Sequence, residues 1–111
     1  MRIQTRREGG CRVVAIIGSA DTEASPALRE ALLGAIEAGE TRLVCDLREA
    51  DFLCSDVLGV LITAYLKARG RGGFVRLANP QVRVREILSE MRLDRLFEVF
   101  PDVKCAAAVA R

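Results

Sequence analysis

Apolar residues arrive along this chain in short runs that alternate with longer amphipathic stretches. RIQTRRE, then Gly9-Gly10, then CRVVAIIG read as two strands joined at the glycines. The first is charged at most positions, as an edge strand is. The second is apolar on both faces after Arg12 and belongs nearer the centre of a sheet. RLVCDL, Arg42 to Leu47, is a third buried strand, FVRLA a fourth, and LFEVF a short fifth. Between them the period changes. In SPALREALLGAIEAG, Leu28, Ala31, Leu32, Ala35 and Ile36 fall on one stripe of a helix. Ser25 is placed to cap it, Pro26 to occupy its first position, and Gly39 to stop it. A second helix is expected from Ser55 to about Ala68, closed by the glycines at 70, 72 and 73. In NPQVRVREILSEM, Asn79 reads as a cap, Pro80 as the first helical residue, and Val84, Ile87, Leu88 and Met91 as the inward face. PDVKCAAAVA begins with proline and is rich in alanine, the pattern of a terminal helix that frays at its end.

The expected order is β-β-α-β-α-β-α-β-α. Alternation of strands with helices of this length implies right-handed parallel crossovers, and the first two strands can form a hairpin. The fold class is therefore α/β, one domain over residues 1–111, with a mixed, mostly parallel sheet and about four helices.

Composition removes several functions. Half of the 111 residues are hydrophobic, enough for a core without covalent staples, and a net charge of +2 does not argue for nucleic acid. Arg69, Arg71, Arg83 and Arg85 read as a solvated rim. Cys11, Cys45, Cys54 and Cys105 show no metal spacing, and the chain has no histidine. No metal or other cofactor is expected, and Ser-His and Cys-His pairs are excluded. Cys11 and Cys45 lie in apolar runs and read as small core residues. Asp21, Asp46, Asp51 and Asp56 suit loop and cap roles better than acid–base pairs. The glycines do not form a phosphate-binding loop. No enzyme site emerges. MRIQTRREGG holds no apolar signal region and no segment is long enough to cross a membrane. The expectation is a soluble protein of a reducing cytoplasm, with no direct insertion into a membrane and with Cys54 unpaired.

One stretch stands apart. DFLCSDVLGVLITAYL introduces an apolar helix with Cys54-Ser55-Asp56. The bland reading of Ser55 is a helix cap. A serine there is also exposed, at the positive end of a helix dipole. A phosphate added to it would change the surface by about −1.5 to −2 charges without unfolding the domain. Asp46, at the end of a buried strand, is expected to hold the intervening loop by accepting backbone N–H groups.

These parts together resemble the STAS domain of the anti-sigma factor antagonists. The resemblance runs from VVAIIGSAD to the C-terminal helix. The family shows an apolar strand ending in Asp-Leu, here Asp46-Leu47. It then shows two apolar residues and Asp-Ser-Ser-Gly-Leu-Gly, here Phe52 to Gly59. A glycine-rich turn follows at Gly70 to Gly73, then Asn79-Pro80, then an aromatic-containing strand within Leu93 to Phe100. The resemblance implies a binding module, not an enzyme, that captures an anti-sigma factor or switch serine kinase. It implies that Ser55 is the phosphorylated serine and that Asp21, Cys54, Ser55 and Asp56 belong to the binding surface. A homodimer is also compatible with it. Three residues depart from the family pattern: Cys54 replaces its aspartate, Asp56 its second serine, and Val57 its next glycine. Those departures favour the alternative of a constitutive STAS scaffold, in a lipid-transport ATPase complex or a sensory assembly, that lacks the phosphorylation switch.

Overall fold

The computed structural model describes residues 1–108. Its elements are β1 (Arg2–Glu8), β2 (Cys11–Ala20), α1 (Ser25–Glu37), β3 (Arg42–Asp46), β4 (Ala50–Leu53), α2 (Ser55–Gly70), β5 (Phe74–Ala78), α3 (Val82–Glu90), β6 (Val99–Phe100) and α4 (Val103–Ala108). Short 3-10 turns lie at Thr22–Ala24 and Leu93–Arg95. The sheet runs β1-β2-β3-β5-β6, and only the β1–β2 hairpin is antiparallel. This is the expected single α/β fold with four helices. The expected fraying at Val109 and Ala110 lies outside the described residues.

Strand periodicity divides the core in two. Val14, Ile16, Leu43, Cys45, Val75 and Leu77 point to one face, where α1, α2 and α3 bury Leu28, Leu32, Leu58, Leu61, Val84 and Leu88 against them. The other face presents Cys11, Val13, Val44 and Ala78 to α4, which contributes Val103, Ala106 and Ala107. Cys11 and Cys45 are core residues, and burial together with Asp46 pushes the Cys45 thiol up to about 12. Gly73, directly before β5, approaches Thr41 so closely that an added Cβ would collide with the Thr41 carbonyl oxygen. Only glycine fits that approach.

Several boundaries differ from the sequence expectation, each for a local reason. The α1 cap is Ala24, with Ser25 and Pro26 as its first two helical residues. Asn79 does not cap α3. It adopts a left-handed conformation (φ 61°), and its N–H donates to the Phe100 carbonyl at 3.0 Å, prolonging the β5–β6 ladder. The helix begins only at Val82, with Gln81 as its extended cap residue. Of LFEVF, only Val99 and Phe100 pair with β5, because Phe97 is drawn into the core as the 3-10 turn closes on Leu93. Met91 is not inward but 54% exposed, since the chain leaves α3 there and turns at Arg92. RLVCDL ends as a strand at Asp46, and the segment beyond it, expected to be a loop, contains β4.

Among the described residues Arg76 is the one charged side chain that is buried, at 2% exposed. It stands on the α4 face of β5, its guanidinium 3.7 Å from the Phe74 ring centroid. Nη1 donates to the Ala106 carbonyl at 2.9 Å, and Nε to Glu98 Oε1 at 3.2 Å. A delocalised cation suits this place because it stacks on an aromatic face and still points hydrogen bonds at a helix carbonyl. Arg76 thereby ties α4 to the sheet. Arg76→Met removes the donor from a buried carbonyl, and stability should fall by about 1–3 kcal/mol in denaturant unfolding. Hydrogen exchange should show the added loss concentrated in α4. Uniform protection across all helices in the variant would contradict the anchoring role.

Candidate functional site

The site forms where β2 outruns β3. β3 pairs with β2 only from Arg12 to Ala15, which leaves Gly18 to Ala20 open on that side. β4 fills the gap as a parallel neighbour, Gly18 opposite Ala50 and Ala20 opposite Leu53, with an irregularity between Gly18 and Ser19. Gly18 N–H donates to the Glu49 carbonyl at 2.8 Å at one end of this short ladder. Cys54 N–H donates to the Ala20 carbonyl at 2.9 Å at the other. The residue before Ser55 is therefore tied by its backbone to the end of a central strand.

Ser55 is the first helical residue of α2, not its cap. Cys54 occupies the cap position, with the extended backbone typical of one (φ −84°, ψ 171°), but its side chain makes no capping hydrogen bond. Thr22 Oγ1 lies 4.0 Å from Cys54 Sγ, so the 3-10 turn after Asp21 abuts the start of α2. Asp21, Ser55 and Asp56 are exposed and Cys54 is half-buried. Val57, Leu58 and Leu61 are buried immediately behind them and fix the first turn of the helix.

These positions gather the four residues expected on the binding surface at one end of the sheet. Asp46, expected to hold the loop by accepting backbone N–H groups, lies apart from them. Its side chain is on the α4 face, where Oδ1 accepts the Arg48 N–H at 3.1 Å and Oδ2 lies 3.8 Å from Arg6 Nη1. It organises the turn after β3, while the Leu47 N–H donates to the Ala78 carbonyl at 2.8 Å. Sequence reasoning passed over Ser19 and Gln81 at this end, and read Arg83 only as solvated rim. Ser19 Oγ donates to Asp51 Oδ1 at 2.7 Å across the β2–β4 pair. Gln81 Nε2 donates to the Arg48 carbonyl at 2.7 Å, joining the α3 cap to the β3–β4 turn. Arg83 lies 6.0 Å from the Phe52 ring centroid. The Ser19 and Arg83 contacts depend on β4 and the Gln81 contact on the turn before it, and Ala-Asp-Phe-Leu is too short to stand out as a strand.

Asp21, Glu23, Asp51 and Asp56 are exposed at this end of the sheet, and so is Arg83 beside Phe52. Among the described residues no cluster of histidine, cysteine or carboxylate side chains could hold a metal ion. No helix among them is long and apolar enough to cross a membrane. What this end of the sheet offers chemically is an exposed hydroxyl on a backbone tied to a central strand.

Residues 2–106 match the STAS domain family. The chain belongs to that family. STAS domains are typically non-catalytic regulatory modules. An anti-sigma factor antagonist from Mycobacterium paratuberculosis has a similar structure. It is 26% identical, with a TM-score of 0.84 over 95% of this chain and 89% of that one. An anti-sigma-factor antagonist (STAS) domain protein from Planctomyces limnophilus is 14% identical, with a TM-score of 0.83 over 95% and 93%. The Bacillus cell fate determinant SpoIIAA in its phosphorylated form is 19% identical, with a TM-score of 0.71 over 88% and 90%. No curated protein gives a significant sequence match. The STAS domain of this chain thus resembles anti-sigma factor antagonists at low identity.

The cap geometry separates two roles at adjacent positions. Cys54→Asp places a carboxylate where the first-turn N–H groups are free, and should stabilise the domain by about 0.5–2 kcal/mol. Ser55→Ala removes a side chain that is not the cap, and should change stability by less than about 0.5 kcal/mol. Both are read from denaturant midpoints at constant slope. The reverse ranking, with Ser55→Ala costly and Cys54→Asp neutral, would make Ser55 the cap after all.

Proposed function

We propose that this STAS domain is a protein-binding module of the anti-sigma factor antagonist kind. Its partner is an anti-sigma factor that is also a serine kinase, and the contact is controlled by phosphorylation at Ser55. The observation that carries this reading is the exposed Ser55 hydroxyl at the start of α2, held by the Cys54–Ala20 backbone bond and bordered by Asp21 and Asp56. The phosphorylated SpoIIAA structure supports it as an example of a modified relative with this fold.

The physical sequence is simple. The unmodified surface packs against the partner through Asp21, Cys54, Ser55, Asp56 and the first turn of α2. The serine is the substrate of the partner's kinase activity; this chain supplies no catalytic group. A phosphate at the first helical position is compatible with the dipole of α2, so the fold survives. It adds charge next to Asp56, and its burial in a contact would be costly without cationic partners. The contact then opens. The reading includes a cytoplasmic location, where four free thiols persist.

A constitutive scaffold is the second reading, and the loop itself favours it at one point. Cys54 and Asp56 stand where the family pattern has aspartate and serine, and Asp56 already puts a fixed charge beside Ser55. One experiment separates the two. The purified chain is incubated with an anti-sigma factor serine kinase and ATP and followed by intact mass and peptide mapping. The switch reading predicts one phosphate, on Ser55, absent in Ser55→Ala. It also predicts that Ser55→Asp binds the kinase roughly tenfold more weakly or worse. A chain that binds the kinase, remains unmodified and binds equally well as Ser55→Asp is a scaffold.

A further inference from the structure

α2 carries a glycine that this chain does not need. Gly59 is exposed in the second turn of the helix, and a Cβ built on it meets nothing within 4 Å. Glycine in an exposed helix interior is destabilising relative to alanine. No turn, positive φ or close neighbour inside the domain offsets that cost. The residues sharing its face are also unpartnered: Ser55, Asp56, Leu66 and Lys67 are exposed, Leu66 at 59%, and Ile62 is half-buried. Thr63 Oγ1 folds back onto the Gly59 carbonyl at 3.0 Å, so its hydroxyl is already used. The face has bare backbone at Gly59 and an exposed leucine two turns further on.

We infer that this face pairs with the same face of a second copy, the two α2 helices lying antiparallel about a two-fold axis near Ile62. Three features of the face are self-complementary. At about 100° per residue, Asp56 and Lys67 lie roughly 60° and 80° to the same side of Gly59. A two-fold axis perpendicular to two antiparallel helices keeps each flank on its own side, so Asp56 of each copy meets Lys67 of the other. The two pairs are separated by the roughly 16 Å that eleven residues span along a helix. With the axis placed by those pairs, Leu66 of one copy stands level with the gap between Ser55 and Gly59 of the other. Gly59, lacking a side chain, makes the hole that this knob fills. Ile62 meets its own counterpart at the axis. The antiparallel arrangement also opposes the two helix dipoles favourably.

The pairing uses α2 alone and does not require Ser55 to be modified. It deepens the reading above in one respect, which rests on that reading: Leu66 of the second copy covers the Ser55 hydroxyl, so self-association withholds the serine from a kinase.

The test is sedimentation equilibrium of the purified full chain over a concentration series, with no kinase or ATP present, so its result is independent of the phosphorylation reading. The wild type should show a monomer–dimer equilibrium that weakens with added salt. Gly59→Gln fills the hole and should weaken the dimer roughly tenfold or more, with an unchanged or higher melting temperature. Asp56→Lys and Lys67→Glu each set like charges together at both ends, and each alone should weaken association roughly tenfold. An equimolar mixture of those two variants restores opposite charges at both ends and should recover the wild-type dimer. A wild type that remains monomeric throughout overturns the inference, as does a mixture no better than its components. If the wild type is monomeric and Gly59→Gln instead loses binding to a kinase partner, the face belongs to that partner and not to a second copy.

Discussion

The structure depends on the full pairing of β2. This strand is ten residues long, from Cys11 to Ala20, and is flanked by β1 along one side and by β3 and then β4 along the other. Its buried side chains feed both cores: Val14 and Ile16 the three-helix face, Cys11 and Val13 the α4 face. Because β3 stops pairing at Ala15, the last part of β2 must find another neighbour or leave its backbone groups unpaired. β4 meets that need, and in doing so it carries the chain directly into α2. The position of Ser55 is thus a consequence of satisfying backbone hydrogen bonds at the end of a central strand.

The two sides of the sheet are stabilised differently, and the difference matters for function. On the α1–α3 side the helices bury aliphatic side chains, and the start of α2 inherits the rigidity of that packing through Val57, Leu58 and Leu61. On the α4 side a short helix with small side chains is held by Arg76, through stacking and a carbonyl hydrogen bond. The start of α2 therefore rests on the aliphatic core of the three-helix face and is independent of the Arg76 anchor. At the opposite end, Arg12 pairs with Glu40 through two hydrogen bonds at 2.9 and 2.7 Å and holds that carboxyl below its usual range. That pair closes the β1–β2 hairpin against the loop that leads from α1 into β3.

Much of this was legible in the sequence. The long apolar runs of β2, β3 and β5 and the stripe of Leu28, Leu32 and Ile36 mark their elements because each buries one consistent set of positions. The order of elements follows from the alternation of those two periods, and Ser55 stood out as a hydroxyl leading into an apolar helix. What was not legible depends on tertiary pairing. β4 is only four residues long and exists because β2 offers it an edge. Asn79-Pro80 looks like a helix start, yet the Asn79 N–H is taken by Phe100, a partner far along the chain. Ser55 and Cys54 differ by one position in their relation to the cap, which is set by the backbone angles at Cys54 and not by residue type. Arg76, one arginine in an otherwise apolar strand, gave a signal only in hindsight: its burial requires α4 to sit on the second face.

The central claim is that Ser55 is displayed on a backbone as rigid as the core. Hydrogen exchange on the native protein, resolved to single amides, tests it directly. The Cys54 amide should exchange as slowly as amides in the centre of β2, because its bond to the Ala20 carbonyl opens only when the β2–β4 ladder and the first turn of α2 open with it. Cys54 exchange as fast as that of the exposed Gly9-Gly10 turn would contradict the claim, and would make the Ser55 segment a mobile loop.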